Sequence, residues 1–212
     1  MKSKYFSEFL GTAFLFCTVV GSGIMGQNLS SNDSLTLLAN TLATVFALYF
    51  LITVFGDYSS HFNPVVSMVM LVRKEISTQV CTVFIILQIS GAILGVMLAN
   101  YIFELDPVYF SEKPRSGTHL FASEILATFG LLMVILLSSK EKVAVTVAAY
   151  IGAAYWFTSS TSFANPAGTI GRSFSNTFAG ISTNDILHFC VAQIIGAFLA
   201  LFVYKTFFES QK

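Results

Sequence analysis

The chain has 212 residues, of which 55% are hydrophobic and only 10% are charged, whereas soluble domains carry about 25% charged residues. Its 11 basic and 11 acidic residues leave no net charge, so no basic excess points to a nucleic-acid partner. Three cysteines, Cys17, Cys81 and Cys190, lie far apart in apolar runs and suit neither a disulfide framework nor a metal cluster. The composition predicts a membrane protein without a cofactor or a metal site.

Six stretches are long and apolar enough to cross a bilayer, which requires about 20 residues. They are 5–25, 35–55, 77–103, 120–139, 143–162 and 186–208. Six spans place both termini on one side of the membrane, together with Lys2, Lys4, Arg73, Lys74, Lys140, Lys142, Lys205 and Lys212; the other side holds Lys113, Arg115 and Arg172. The excess of basic residues marks the cytoplasmic side. We therefore expect a multi-pass protein of the cell (cytoplasmic or inner) membrane with both termini in the cytoplasm.

Two further segments, 63–73 and 165–178, are moderately apolar but too short to cross, and each opens with Asn-Pro. Proline at the first helical position, after a residue whose side chain accepts hydrogen bonds, is typical of a helix start. Irregular backbone at membrane depth persists only where protein or a water-filled cavity satisfies it. The sequence therefore predicts two re-entrant half-helices beside a cavity.

The two halves of the chain repeat each other. The matching segments are EFLGT (8–12) with EILAT (124–128), FNPV (62–65) with ANPA (164–167), and QISGA (88–92) with QIIGA (193–197). Three spans per half start the second copy on the opposite face, so the repeat is inverted. The predicted fold is an all-α membrane protein with six transmembrane helices and two half-helices in one domain, 1–212. Its first repeat covers about 1–103, a connecting loop about 104–119 and the second repeat about 120–212.

The inverted repeat brings the N-termini of the two half-helices together near the midplane. Each N-terminus carries about half a positive elementary charge, which repels cations. The amides of Asn63 and Asn165 donate hydrogen bonds at the same place and also cap their helices. This arrangement favours neutral solutes, because a water or hydroxyl oxygen can accept from these amides.

These features together resemble the major intrinsic proteins, the aquaporins and aquaglyceroporins. The resemblance covers nearly the whole chain and rests mainly on the boxes Asn63-Pro64-Val65 and Asn165-Pro166-Ala167; the first ends in valine where the family usually has alanine. It implies a passive channel in lipid, a homotetramer with one pore per protomer, and passage of water and small neutral solutes.

The resemblance also implies roles for three ionisable residues. His61 is expected beside the cytoplasmic half of the pore, in a structural or gating role. Glu8 and Glu124, near the starts of the first and fourth spans, are expected to hold the half-helix loops by accepting backbone N–H groups.

The family's narrowest point normally uses an arginine directly after the second box, with aromatic or histidine side chains from the second and fifth spans. By resemblance the corresponding positions here are Ala43, Ala153, Ser162 and Gly168, and all are small. A slip of one residue in the second span to Thr44 would keep that position small, whereas a slip to Leu42 would make it bulkier and narrow the pore. The implied pore is wide and admits glycerol, urea or neutral metalloid hydroxides.

Arg172 lies four residues after Gly168, and therefore on the same helix face, one turn further toward the outer mouth. It either replaces the missing charge in the outer vestibule, or lies at the surface and pairs with Asp185 or lipid headgroups. Both interpretations stay open on the sequence.

Two other functions compete with the wide passive channel. Inverted repeats and broken helices also occur in ion-coupled secondary transporters, and a strictly water-selective channel would share the same fold. An enzyme is disfavoured, because the sequence offers no constellation of nucleophile and base.

Overall fold

The computed structural model describes residues 2–209, and all regular structure there is helical apart from one isolated bridge between Tyr109 and Ser175. The helices are α1 (Lys2–Leu29), α2 (Asp33–Phe55), α3 (Pro64–Val72), α4 (Thr78–Ile102), α5 (Thr118–Leu137), α6 (Val143–Phe157), α7 (Pro166–Arg172) and α8 (Ile186–Phe207), with a 3₁₀ turn at Thr183–Asp185. Lys212, which the charge count places on the side of the termini, lies outside the described residues. This is the predicted fold class, with α3 and α7 as the two half-helices.

Five of the six predicted spans, α1, α2, α4, α5 and α8, are helices long and apolar enough to cross a membrane. The predicted span 143–162 is wrong at its end, because α6 stops at Phe157 and covers only about 22 Å. Beyond it, the backbone N–H of Ser160 donates to Ser123 Oγ at 3.0 Å, and its carbonyl accepts from the Arg115 guanidinium at 3.3 Å. These hydrogen bonds hold the buried backbone around Ser160 in a non-helical conformation, so α6 does not continue through it.

The second half-helix is also shorter than predicted. It ends at Arg172, and the chain then turns to bind the loop after α4. Ser111 N–H donates to the carbonyl of Ser173 at 2.8 Å, and Tyr109 N–H to that of Phe174 at 3.1 Å. These bonds satisfy the backbone that a longer helix would have paired internally.

Small residues allow close contact between helices at equivalent places in the two repeats. A Cβ atom at Gly91 of α4 would lie 2.5 Å from the Phe9 carbonyl oxygen of α1, and one at Gly95 would overlap that of Ala13. In the second repeat, a Cβ atom at Gly196 of α8 would overlap the Ile125 carbonyl oxygen of α5. Such backbone contact is how helices associate in lipid, and here it holds α1 to α4 and α5 to α8.

The helix bundle has two opposite ends. We call the end with Lys4 and Lys140 the amino-terminal face, and the end with Lys113 and Arg115 the distal face. The half-helix α3 begins inside the molecule and runs back toward the amino-terminal face, while α7 begins inside and runs toward the distal face. The two Asn-Pro boxes therefore meet in the interior.

Candidate functional site: a pore between the half-helices

A cavity of about 530 Å³ runs from the amino-terminal face through the interior as far as Arg172. Lys4 and Lys140 line it at the amino-terminal face, Asn63 and Asn165 in its middle and Arg172 toward the distal face. Both half-helices thus present their first turns to one continuous space.

The two asparagines link the half-helices to each other. Asn63 Nδ2 donates to the carbonyl of Ala164 at 2.8 Å, and Asn165 Nδ2 donates to the carbonyl of Phe62 at 2.8 Å. Each Oδ1 meanwhile caps its own helix by accepting from a backbone N–H two residues on. Since an amide nitrogen has two hydrogens, each asparagine keeps one donor for a molecule in the cavity.

The residue before each box has an unusual backbone conformation. Phe62 and Ala164 have φ angles of 48° and 47°, in the left-handed region that residues other than glycine rarely adopt. Each supplies the carbonyl that the opposite asparagine binds. Strain of this kind persists only where surrounding contacts fix it, and here two buried glutamates provide those contacts.

Glu8 of α1 holds the first loop. Its Oε1 accepts from Ser59 Oγ and from the backbone N–H of His61, at 2.5 and 2.7 Å. Its Oε2 accepts from the backbone N–H of Phe62 and from Gln88 Nε2, at 2.8 and 2.7 Å. The carboxylate is fully buried, so these four bonds replace its hydration.

Glu124 of α5 does the same for the second loop. Its Oε1 accepts from the backbone N–H of Phe163, and its Oε2 from that of Ala164, both at 2.9 Å. Gln193 Nε2 donates to Oε2 at 2.7 Å. Three bonds at Glu124 thus correspond to the four at Glu8, so the repeat extends to the loop supports.

His61 lies on the cavity wall beside the first box. Its Nδ1 is 3.0 Å from Ser67 Oγ of α3, and its ring meets that of Phe84 edge to face, with centroids 5.4 Å apart. The histidine is therefore fixed between the first half-helix and α4. Val65, the atypical third residue of the first box, is fully buried in the core, as is Ala167 of the second.

The structure corrects two of the four expected filter positions. Ala43 is half-buried and Ala153 is exposed, and the helices present Thr44 and Tyr155 to the cavity instead, with their hydroxyl oxygens 3.1 Å apart. Thr44 comes one residue after Ala43 and Tyr155 two residues after Ala153, and Ile151 of α6 lines the cavity as well. Side chains two positions apart on a helix point in directions that differ by about 200°. With Tyr155 toward the cavity, Ala153 therefore lies on the outer side of α6. The pore wall is consequently bulkier than the sequence implied.

The other two expected positions lie beside the cavity, each with an unexpected neighbour. Ser162 lines the cavity, and its buried Oγ has no hydrogen-bond partner among the described residues. Gly168 faces Phe16 of α1 so closely that a Cβ atom there would overlap the ring. Phe16 itself lines the cavity, so an aromatic side chain from α1 occupies the space beside Gly168.

Arg172 is buried and lines the cavity, and the surface interpretation is wrong. Its Nε donates to the carbonyl of Ala179 at 2.5 Å, and its guanidinium carbon lies 3.3 Å from the centroid of the Phe163 ring. Asp185, the expected partner at the surface, accepts instead from the backbone N–H of Arg115 at 2.7 Å. The arginine therefore puts a positive charge at the distal part of the pore.

Comparison with known proteins agrees with this architecture. The sequence model of the family described as "Major intrinsic protein" matches residues 1–204. The chain is 46% identical over 199 residues to "Aquaglyceroporin AqpS" of Rhizobium meliloti, covering 92% of this chain and 85% of that protein. It is 32% identical to "Glycerol uptake facilitator protein-like 6" of Lactiplantibacillus plantarum, covering 94% and 95% of the two chains.

A solved structure shows the same fold at low sequence identity. The aquaglyceroporin from Plasmodium falciparum superposes with a TM-score of 0.75 at 18% identity, over 99% of this chain and 97% of that one. The likeness establishes the aquaporin fold, and the family match accounts for the paired Asn-Pro boxes. The chain belongs to the major intrinsic protein family.

Proposed function

We propose that this multi-pass membrane protein is a passive channel for water and small neutral solutes of about the size of glycerol. The observation that carries the proposal is the continuous cavity lined by the donor amides of both Asn63 and Asn165. The relatives named as an aquaglyceroporin and a glycerol uptake facilitator support a polyol among the solutes. The channel family is not enzymatic, and we extend that to this chain.

The electrostatics of the wall favour neutral solutes over cations. The N-terminus of α3 points into the cavity and carries about half a positive elementary charge. Arg172 adds a full charge further along the same path. A cation that enters from the distal face meets both in turn, whereas a hydroxyl oxygen accepts hydrogen bonds from them.

A coupled carrier fits the buried carboxylates poorly. Coupling to protons requires an ionisable group, such as a carboxylate, that is reached alternately from the two sides. Glu8 and Glu124 are fully buried, and backbone and side-chain donors occupy both oxygens of each. These groups hold loops in place, which is consistent with a channel.

We also propose that both termini lie in the cytoplasm, so that the amino-terminal face is the cytoplasmic one, in the cell membrane. The distribution of basic residues supports this orientation. A homotetramer is proposed by family analogy. Large apolar side chains on the flanks, such as Phe46, Trp156 and Phe202, are suited to contact with lipid and with neighbouring protomers.

The purified protein in liposomes should raise both water and glycerol permeability above those of empty vesicles, with a low activation energy. Stopped-flow light scattering measures both fluxes, with urea as a third solute. Imposed proton or sodium gradients should leave glycerol flux unchanged, since a channel follows only the solute's own gradient. Fast water flux with glycerol exclusion would support the strictly water-selective alternative, and gradient-dependent uptake would support the carrier.

The substitution Phe16→Ala should increase glycerol permeability relative to water permeability. It removes an aromatic ring from the cavity wall beside Gly168, and water is already small enough to pass. Phe14→Ala is the matched control, because Phe14 lies on the same helix but is 53% exposed on its outer surface. An equal glycerol-to-water ratio in the two variants would mean that Phe16 does not limit solute size.

A further inference from the structure

Three basic side chains at the distal face are held by three consecutive backbone carbonyls. Lys113 Nζ donates to the carbonyl of Phe178 at 2.8 Å, Arg172 Nε to that of Ala179 at 2.5 Å and Arg115 Nε to that of Gly180 at 2.8 Å. The loop between α7 and the 3₁₀ turn is thus a scaffold that positions positive charge.

None of these three groups forms an ion pair within 4.0 Å with a carboxylate of the described residues, although Asp33 attracts Lys113, and Glu124 attracts both arginines, from farther away. The ion pairs there join Arg73 to Glu75 and Glu209, and Lys140 to Asp57, all at the amino-terminal face. Burial, together with the positive charges of Arg115 and Arg172, lowers the pKa of Lys113 to about 8. At hydrogen-bond distance these groups meet carbonyl oxygens, which carry only partial charge, so positive charge remains beside the distal part of the pore.

Of the three basic residues, Arg172 is the one that lines the cavity. One guanidinium nitrogen is bound to the Ala179 carbonyl, and the group lies over the Phe163 ring, an arrangement in which a cation is attracted to the aromatic face. This fixes the guanidinium while its two terminal nitrogens keep donors for a molecule in the pore. The Arg115 guanidinium carbon lies 4.7 Å from the centroid of the same ring.

The wall of the cavity combines polar and apolar side chains. The Ser162 hydroxyl is only 3% exposed and has no partner among residues 2–209, so a solute hydroxyl would satisfy it. Phe16, Val19 and Leu48 line the same cavity with apolar groups. A polyol has a matching distribution, with hydroxyl oxygens along one edge of a carbon chain.

We propose that Arg172 is the specificity-determining residue of this pore, where its terminal nitrogens, with the Ser162 hydroxyl, bind neighbouring hydroxyl groups of a polyol and its charge excludes cations. The arginine stands one helical turn beyond the position where the family normally has one, and the Phe163 ring and the Ala179 carbonyl hold it in place. The inference rests on the proposed channel function and deepens it.

Arg172→Ala and Arg172→Lys test the two roles separately in liposomes. We expect Arg172→Ala to lower the glycerol-to-urea permeability ratio about tenfold, the effect of losing a charge-assisted hydrogen bond, and to raise sodium leak. Arg172→Lys should keep sodium out but lose the preference for glycerol, because an ammonium group lacks the planar fork of donors. Lys205→Gln is the control and should leave both properties unchanged, since it removes an exposed basic residue of α8 that does not line the cavity.

The outcomes distinguish this proposal from the proposed function. Wild-type vesicles with no solute flux above background would refute the channel itself. A conducting wild type whose glycerol-to-urea ratio and sodium exclusion survive Arg172→Ala would overturn the role of Arg172 alone. If Arg172→Ala fails to fold, Phe163→Leu decides, because it frees the guanidinium without removing it; a reduced ratio would support the proposal and an unchanged ratio would overturn it.

Discussion

Glu8→Gln should destabilise the protein by about 3 kcal/mol or more and abolish most of its water flux. The carboxylate accepts four hydrogen bonds in a fully buried site, whereas a glutamine amide accepts only at its oxygen and presents hydrogens to the other donors. Each buried donor left without an acceptor costs about 1–3 kcal/mol. Thermal unfolding in detergent and stopped-flow water flux measure the two effects.

Two further variants check this hydrogen-bond argument. Glu141→Gln changes a carboxylate on an exposed loop and should leave both stability and flux at wild-type values. Glu124→Gln should be damaging but less so than Glu8→Gln, because Glu124 accepts three bonds rather than four. If Glu124→Gln were less stable than Glu8→Gln, the number of hydrogen bonds to the carboxylate would not determine the loss of stability.

Asn63→Asp should convert the channel from one that excludes sodium to one that leaks it. The new carboxylate stands at the N-terminus of α3, where its full negative charge outweighs the helix's partial positive charge. The aspartate can still cap the helix, so the half-helix should persist and water flux should continue. At pH 7.5, about 3.6 units above the ordinary carboxyl pKa of about 3.9, the side chain is ionised.

Sodium flux in vesicles, measured beside water flux, tests this expectation. Asn184→Asp is the control, because Asn184 is exposed at the distal face. The substitution therefore adds the same negative charge outside the pore. Sodium exclusion by Asn63→Asp with intact water flux would contradict the idea that positive charge at the half-helices bars cations. Loss of both fluxes would instead point to the bond from Asn63 Nδ2 to the Ala164 carbonyl as indispensable.

The elements that the sequence predicted well are those with local or repeated signals. Long apolar runs identify the spans, and Asn-Pro marks both half-helices, whose first residues are Pro64 and Pro166. The family resemblance predicted that the recurring glutamates, Glu8 and Glu124, hold the half-helix loops, but no role was predicted for the recurring glutamines. In the structure, Gln88 binds Glu8 and Gln193 binds Glu124.

Side chains that face the pore were harder to predict, because a helix that is apolar all round gives no sign of which side faces a cavity. Thr44, Tyr155 and Phe16 lie on such helices. Counting residues back from the second box failed at Ala153, since the chain between α6 and α7 is not helical. The position of Arg172 depended on a carbonyl in the following loop, and no local pattern in the sequence indicates that contact.

The mutual bonds of the two asparagines have a consequence for biogenesis. The hydrogen bond from the Asn63 amide to the Ala164 carbonyl joins residues that are 101 positions apart in the chain. The bond from the Asn165 amide to the Phe62 carbonyl joins residues that are 103 positions apart. While the ribosome has made only the first three spans, the partners of Asn63 and Phe62 do not yet exist, and hydrocarbon cannot replace them. The first re-entrant loop therefore reaches its final conformation only after the nascent second half enters the membrane, so the solute path is the last part of the molecule to assemble.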